Sequence, residues 1–387
     1  MLLKLFGPFH RTQNNSDMKS VAFFVRHQTS LIRMLPQYHA VKASGLCDPV
    51  IVIVDERAFG LAENLRSDGI RVELIPDELR QDPVQIADKR FQDGLSRLPS
   101  VLSAILRCKI IAHSFLLDGW RGRTVVKRYT ESLQAWLSYL EGNWIDLAMV
   151  PGDRELGAFP PLLKACKLKR IPVVISTSNI PTRDSLAANR VGERKFDASF
   201  AKFPPLWNVI ARLFFPQQVA ETVHGKMLFS PGWLVCALAR LGMLSKTPWI
   251  QGGGNCDFVL LNSQRRCEKY ISEGVDPRKV VQIGDLSFDT LHASATNREA
   301  LRAKIRQKFT GGDGKVCLFA IPIYAEHNYL NWDVHLSTLR ACAAKLRASG
   351  MVVVLSLHPR SRKEDYLFLE KDFGFDFDSR PLNQILP

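Results

Sequence analysis

Six segments of this chain place polar or charged side chains directly after an apolar, β-rich run, and chemistry can be done from such positions. SVAFFV is followed by Arg26 and His27, a basic pair that opens a helix-like stretch. With the N–H groups of the helix start it can hold a phosphate, or it can simply face solvent. DLAMV is followed by Pro151-Gly152-Asp153-Arg154-Glu155. Asp153 there either caps the next helix or acts as general base on a hydroxyl or sugar carbon. KVVQI runs into Gly284, whose missing side chain lets backbone approach a ligand. VCLFAI runs into PIYAEHN, where Glu326 and His327 can form an acid/base pair. MVVVLSL runs into His358-Pro359-Arg360-Ser361. A guanidinium at Arg360 can grip phosphate bidentately, and His358 and Ser361 stand beside it for a diphosphate. The sixth, Asn262-Ser263-Gln264 after DFVLL, reads as a helix cap. Gly252-Gly253-Gly254 lacks the Lys-Ser/Thr of a phosphate loop and the spacing of a dinucleotide fingerprint, and reads as flexible backbone.

These residues need a scaffold, and the pattern supplies one. Short strands at Ser20–Val25, Pro49–Val54, Arg71–Ile75, Asp146–Val150, Ile171–Ile175, Asp257–Asn262, Lys279–Ile283, Val316–Ile321 and Met351–Leu357 alternate with amphipathic stretches. That alternation predicts an α/β fold with parallel sheets covered on both faces. Ligands of such sheets bind at the carboxyl ends of the strands, where all the segments above lie. The chain of 387 residues is long enough for two domains. We expect a leader over 1–18, an N-terminal domain over 19–290, a polar linker near 291–298 and a C-terminal domain over 299–387.

The composition, 46% apolar and 23% charged, is that of a globular protein. A net charge of +14 favours anionic partners, but the basic residues are scattered and no nucleic-acid-binding motif is present. Specific nucleic-acid recognition is therefore not expected. The eight cysteines form no C-x-x-C pair and no zinc spacing, and read as buried thiols in a reducing compartment; no metal is expected. No signal peptide and no spanning helix are predicted, so the expected location is the cytoplasm. Residues 203–249 are rich in Trp, Phe and Leu with interspersed Lys and Arg. They read either as interfacial helices touching an anionic membrane from its inner face or as a helical pair packed on the core.

Taken together, these segments resemble the superfamily that joins UDP-N-acetylglucosamine 2-epimerases to GT-B glycosyltransferases. DLAMVPGDRELGAFPPLLKACKLKRIPVVI is similar to the epimerase His-Gly-Asp segment with its following helix and strand, and the match sets Asp153 on the family's catalytic Asp. VAFFVRHQTS resembles the family's opening strand and turn, where only Arg26 matches. The stretch ending in QIGDLSFD resembles a Gly-Asn-x-x-x-Asp segment, and SLHPRS resembles the His-Pro stretch whose His helps bind the donor phosphate. STSNIPTR lacks the Glu of the epimerase Glu-Ala-Gly-x-Arg segment, and PIYAEHNY matches the epimerase His-Arg-x-Glu-Asn segment imperfectly.

The resemblance implies GT-B architecture: two Rossmann-like domains with parallel sheets, the second ending partway at Pro387. It implies a nucleotide sugar as donor substrate, no further cofactor, and a saccharide or lipid-linked acceptor. The expected activity is that of a glycosyltransferase in surface polysaccharide or glycolipid synthesis. An epimerase-like enzyme is the first alternative, and an inactive nucleotide-sugar-binding or scaffold protein the second. On the main reading Asp153 is the base, His358 and Arg360 hold the donor diphosphate, and Arg26 assists.

Overall fold

The computed structural model describes residues 18–378 apart from 56–57, 77–78, 80–83, 87, 90–92, 94–114, 155–158, 177–182, 189, 200–204, 285–287, 289–291, 293–294, 296, 327–329 and 359–360. The expected leader, His327 and Arg360 lie outside the described residues. The chain divides into two compact units, Met1–Asp285 and Leu286–Pro387, a few residues ahead of the predicted linker.

In the first unit the runs rich in Val, Ile and Phe become strands β1 (Lys19–Val25), β2 (Cys47–Ile53), β3 (Val72–Leu74), β4 (Leu147–Val150) and β5 (Val173–Ser176). A hairpin of β6 (Val219–Thr222) and β7 (Gly225–Leu228) follows, then β8 (Phe258–Leu261) and β9 (Val280–Gln282). The helices are α1 (Gln28–Ala43), α2 (Leu61–Ser67), α3 (Phe115–Gly142), α4 (Phe159–Lys169), α5 (Arg183–Ala188), α6 (Leu206–Phe214), α7 (Gly232–Arg240) and α8 (Gln264–Ser272). Seven strands form one sheet in the order β3-β2-β1-β4-β5-β8-β9, and every pair in it is parallel. The chain first builds outward from β1 to β3, then returns to lay β4 on the other side of β1. The strand order thus reverses between β1 and β4, where doubly wound sheets open a crevice at their carboxyl edge.

Both faces of the sheet are covered, which explains why its strands read as continuous apolar runs rather than alternating ones. Phe24, Val52 and Val150 point to one face, under Trp136 of α3 and Leu162 of α4. Phe23, Ile51 and Met149 point to the other, under Met34 and Tyr38 of α1. Edge-to-face ring pairs fix each layer, Phe24 with Trp136 at 5.8 Å and Phe23 with Tyr38 at 5.9 Å. Pro36 interrupts the hydrogen-bond ladder inside α1, so that helix owes its place to the buried stripe Leu31, Met34, Tyr38 and Val41.

Residues 203–249 contribute α6, the β6–β7 hairpin and α7. The apolar side chains of α7 pack with Val125 and Tyr129 of α3. Gly232 crosses α6 so closely that a Cβ there would lie 2.3 Å from the Trp207 carbonyl group. Asn208 fastens the crossing: it accepts the Gly232 N–H and donates to the Lys195 and Asp197 carbonyls. The aromatic content of this segment is therefore largely internal. Leu206, Leu213 and Phe214 of α6 remain exposed. Among the described residues no helix is long and apolar enough to cross a membrane.

The second unit holds a three-stranded parallel sheet, β10 (Val316–Ala320), β11 (Val352–Ser356) and β12 (Asp376–Phe377). Its helices are α9 (Arg298–Thr310), α10 (Trp332–Ala348) and α11 (Leu367–Phe373). Its core gathers Val353 and Leu355 of β11 with Leu339 and Ala343 of α10, Leu369 of α11, and Tyr366.

Candidate functional site

At the end of β1, Arg26 reaches across to Asp55 beyond β2, with Nε 3.5 Å from the carboxylate. His27 is the N-cap of α1: its Nδ1 accepts the Ser30 N–H at 3.1 Å, and Ser30 Oγ accepts the His27 N–H in return. A capping Nδ1 must be unprotonated, so neutral His27 carries its proton on Nε2. The pair expected to hold phosphate thus has structural partners at the switch point.

Asp153, four residues downstream of Met149, lies on the other side of that point and is only 5% exposed. Its Oδ1 accepts the Gly252 N–H at 2.9 Å and its Oδ2 accepts the Gly254 N–H at 2.7 Å. Burial pushes its carboxyl up, and the two backbone donors pull it back towards ionisation. The glycines it holds are not the flexible backbone expected from their sequence. A Cβ at Gly253 would collide with Thr247 Oγ1, and one at Gly254 would lie 2.6 Å from Ser245 Oγ. Gly252 has φ +92° and a Val259 methyl against it, so only glycine fits there.

The neighbouring residue, Arg154, turns the other way. It donates to the carbonyls of Pro248 and Trp249 at 3.4 and 3.2 Å, and its guanidinium carbon stands 6.0 Å from the Phe229 ring. Arg190, on the connection that leaves β5, meets the same ring at 4.6 Å, Phe196 at 5.4 Å and Trp249 at 5.7 Å. It donates to the carbonyls of Phe229 and Leu186. Burial lowers its pKa, and the charge of Arg154 lowers it further. Both arginines line a cavity of about 540 Å³, together with Arg121 and Lys195. Two carboxylates, Asp88 and Asp118, share the lining with these four cations among the described residues. Asp118 is 3% exposed and pairs with Arg121 at 3.4 Å. Guanidinium groups held by carbonyls and aromatic faces are oriented in advance for bidentate contact with phosphate or carboxylate.

Gly284 has φ +80° but follows the edge strand β9. Three inter-strand steps separate β9 from β4, roughly 14 Å, so the sheet does not bring Gly284 to the switch point.

In the second unit the carboxyl ends of β10 and β11 bring Glu326 and Ser361 together. Glu326 Oε1 accepts from Ser361 Oγ at 2.6 Å and from the Tyr366 hydroxyl at 2.7 Å. His335 of α10, 2% exposed, places Nε2 at 3.3 Å from that hydroxyl. Partial burial opposes ionisation of Glu326, but the two hydroxyl donors outweigh it and hold the carboxyl below its usual range. Glu326 Oε2 is buried without a hydrogen-bond partner among the described residues. Burial and the bond to Glu326 push the Tyr366 phenol well up. His358 is exposed just beyond β11, and its carbonyl accepts the Ser361 N–H at 2.9 Å.

No protein-family model matches the chain, and no curated protein matches it in sequence. Solved structures similar to it include UDP-GlcNAc 2-epimerase from Neisseria meningitidis bound to UDP-GlcNAc. That likeness has 12% identity and a TM-score of 0.46, and covers 95% of this chain and 73% of the other. A glycosyltransferase from Rickettsia africae is similar at 9% identity and TM-score 0.45, over 95% of this chain and 70% of the other. Anabaena HepE in complex with UDP and glucose is similar at 12% identity and TM-score 0.44, over 96% and 73%.

Sequence reasoning missed Arg154, Arg190, His335 and Tyr366. Arg154 stands one place beyond a residue that was singled out. His335 shares the spacing of Leu339 and Ala343, which marks it as lying on the buried stripe of α10. Arg190 belongs to no motif, and no local signal announces it. Among the described residues no His, Cys, Asp or Glu cluster could hold a metal ion. Their seven cysteines are free, and burial pushes the Cys166 thiol up to about 12.

Proposed function

We propose that the protein transfers a sugar from a nucleotide-sugar donor to an anionic acceptor, in the synthesis of a surface polysaccharide or glycolipid. The observation that carries this reading is the cavity of Arg121, Arg154, Arg190 and Lys195, reached from the turns that leave β4 and β5 of a doubly wound parallel sheet. The donor class follows from the resemblance of the DLAMVPGD and SLHPRS segments. In the reaction an acceptor hydroxyl oxygen bonds to the anomeric carbon, the bond from that carbon to the diphosphate oxygen breaks, and the hydroxyl proton passes to the departing diphosphate or to water.

The first unit carries the acceptor, with its anionic group on the arginines. The second carries the donor, with His358 and the Ser361 turn directed to the diphosphate. Glu326 is ionised at neutral pH and anchors Ser361 and Tyr366. Asp153 has both oxygens on loop N–H groups, so we assign it to holding Gly252–Gly254 rather than to proton transfer.

Product analysis tests the reaction. The full chain is incubated with a panel of nucleotide sugars, with and without phosphorylated saccharide or lipid acceptors. Release of nucleoside diphosphate that requires an acceptor supports transfer. An epimerised or free sugar formed without acceptor would replace this reading with the epimerase one.

A further inference from the structure

Beside the arginine-lined cavity lies another, of about 500 Å³, and Asp118 and Trp233 line both. Its walls are Trp120, Trp207, Trp233 and Val126, and Arg123 and Arg240 stand exposed at its margin. One stretch of α3 serves the two spaces. Asp118 and Arg121 line the first, whereas Gly119, Trp120, Gly122 and Arg123 line the second. Gly119 lies against the Trp207 ring and Gly122 against the Trp233 carbonyl, where an added Cβ would stand 3.5 and 3.6 Å away, in ordinary contact. Trp120 is 43% exposed, a large apolar surface facing water.

We propose that the acceptor is an anionic amphiphile, its phosphate-bearing head on Arg121, Arg154, Arg190 and Lys195 and its aliphatic chain in the tryptophan-lined cavity. The assignment deepens the transferase reading by naming the acceptor class, and its binding test is independent of turnover. Charge and polarity select this occupant. A neutral head group would forgo the charge-assisted hydrogen bonds that guanidinium groups make to phosphate. A small polar anion would leave the apolar cavity and Trp120 in water. Arg121, Arg154, Arg190 and Lys195 around the first space, beside the tryptophan walls of the second, match a molecule with both properties.

Titration of the full chain with ethyl, hexyl and dodecyl phosphate, each below its micelle concentration, reads the proposal directly. Dodecyl maltoside serves as the neutral control. Burial of the chain predicts an affinity gain of about two- to fourfold per methylene, hence at least about 50-fold from hexyl to dodecyl. Cys236 also lines the second cavity, and Cys236→Phe fills it. That variant should lose the chain-length dependence while keeping the affinity for ethyl phosphate. Arg123→Glu, at an exposed position, should weaken dodecyl phosphate severalfold without lowering the melting temperature; it covers the case in which the Phe variant does not fold. Arg190→Gln should weaken the whole series about tenfold with an unchanged chain-length slope. A flat chain-length series, or maltoside binding as tightly as the phosphate of equal chain, overturns the proposal. Chain-dependent binding of dodecyl phosphate without transfer to any phospholipid acceptor would sink the transferase reading and leave this site standing.

Discussion

The two units handle charge at their strand ends in opposite ways. In the first, the carboxylate of Asp153 is spent on backbone N–H groups, and the nearby cavity is lined by Arg121, Arg154, Arg190 and Lys195 with Asp88 and Asp118 among them. In the second, the central group is an anion, Glu326, held by the hydroxyls of Ser361 and Tyr366. The contrast shows that a carboxylate after a parallel strand does not declare its role by position. Asp153 and Glu326 both follow strands, yet one ties a loop and the other gathers hydroxyl groups. The neighbours decide: glycine N–H groups that no side chain can replace in one case, and Ser, Tyr and His side chains in the other.

The largest effect expected from breaking this contrast is at Asp153. Asp153→Ala leaves two buried N–H groups without acceptors, and a loss of about 3–5 kcal/mol in unfolding free energy is expected by denaturant titration. Asp153→Asn keeps one acceptor and should cost about half as much. A variant of unchanged stability that has lost turnover would return Asp153 to the role of base.

Arg190→Ala and Arg154→Ala come next. Each removes guanidinium donors from the cavity and should weaken a phosphate-bearing ligand by about 1.5–3 kcal/mol, measured by calorimetry. The same changes made at exposed Arg278 should leave that affinity untouched.

Glu326 gives a smaller effect with a definite sign. Its folded pKa is depressed, so its stabilisation is present above the unfolded carboxylate pKa and is lost as pH falls through the folded value. The second unit should therefore lose a small part of its stability on acidification through that window, and Glu326→Gln should reduce the dependence. Acid titration of both proteins, followed by circular dichroism, checks this.

The smallest effect is expected at α6, where Leu213→Ser and Phe214→Ser should change stability by less than about 0.5 kcal/mol, because both side chains face water. Cosedimentation of the same variants with anionic vesicles tests whether this face touches a membrane.

Much of the scaffold was legible before the structure. The expected strands coincide with β1–β5 and β8–β11 within a residue or two; β1, β2, β4 and β11, buried on both faces, are written as largely apolar runs. The β6–β7 hairpin was not legible, since VAET and GKML are short and mixed in polarity. The aromatic segment 203–249 has a composition common to interfacial and buried helices, and only contacts such as Gly232 against Trp207 distinguish the two. The positions of candidate residues at strand ends were readable, whereas their partners were not. Asp153 meets Gly252 and Gly254 about a hundred residues away, and Arg154 and Arg190 share one ring, Phe229. Such long-range pairings leave no local period to read.

The central claim is that the cations behind β4 and β5 form a ligand site. Calorimetric titration of inorganic pyrophosphate into the full chain, its Arg154→Gln/Arg190→Gln double variant and an Arg278→Gln control tests it most directly. The account predicts saturable binding to the parent and the control, weakened at least about 30-fold in a double variant that circular dichroism shows to be folded. Equal binding by all three would contradict it.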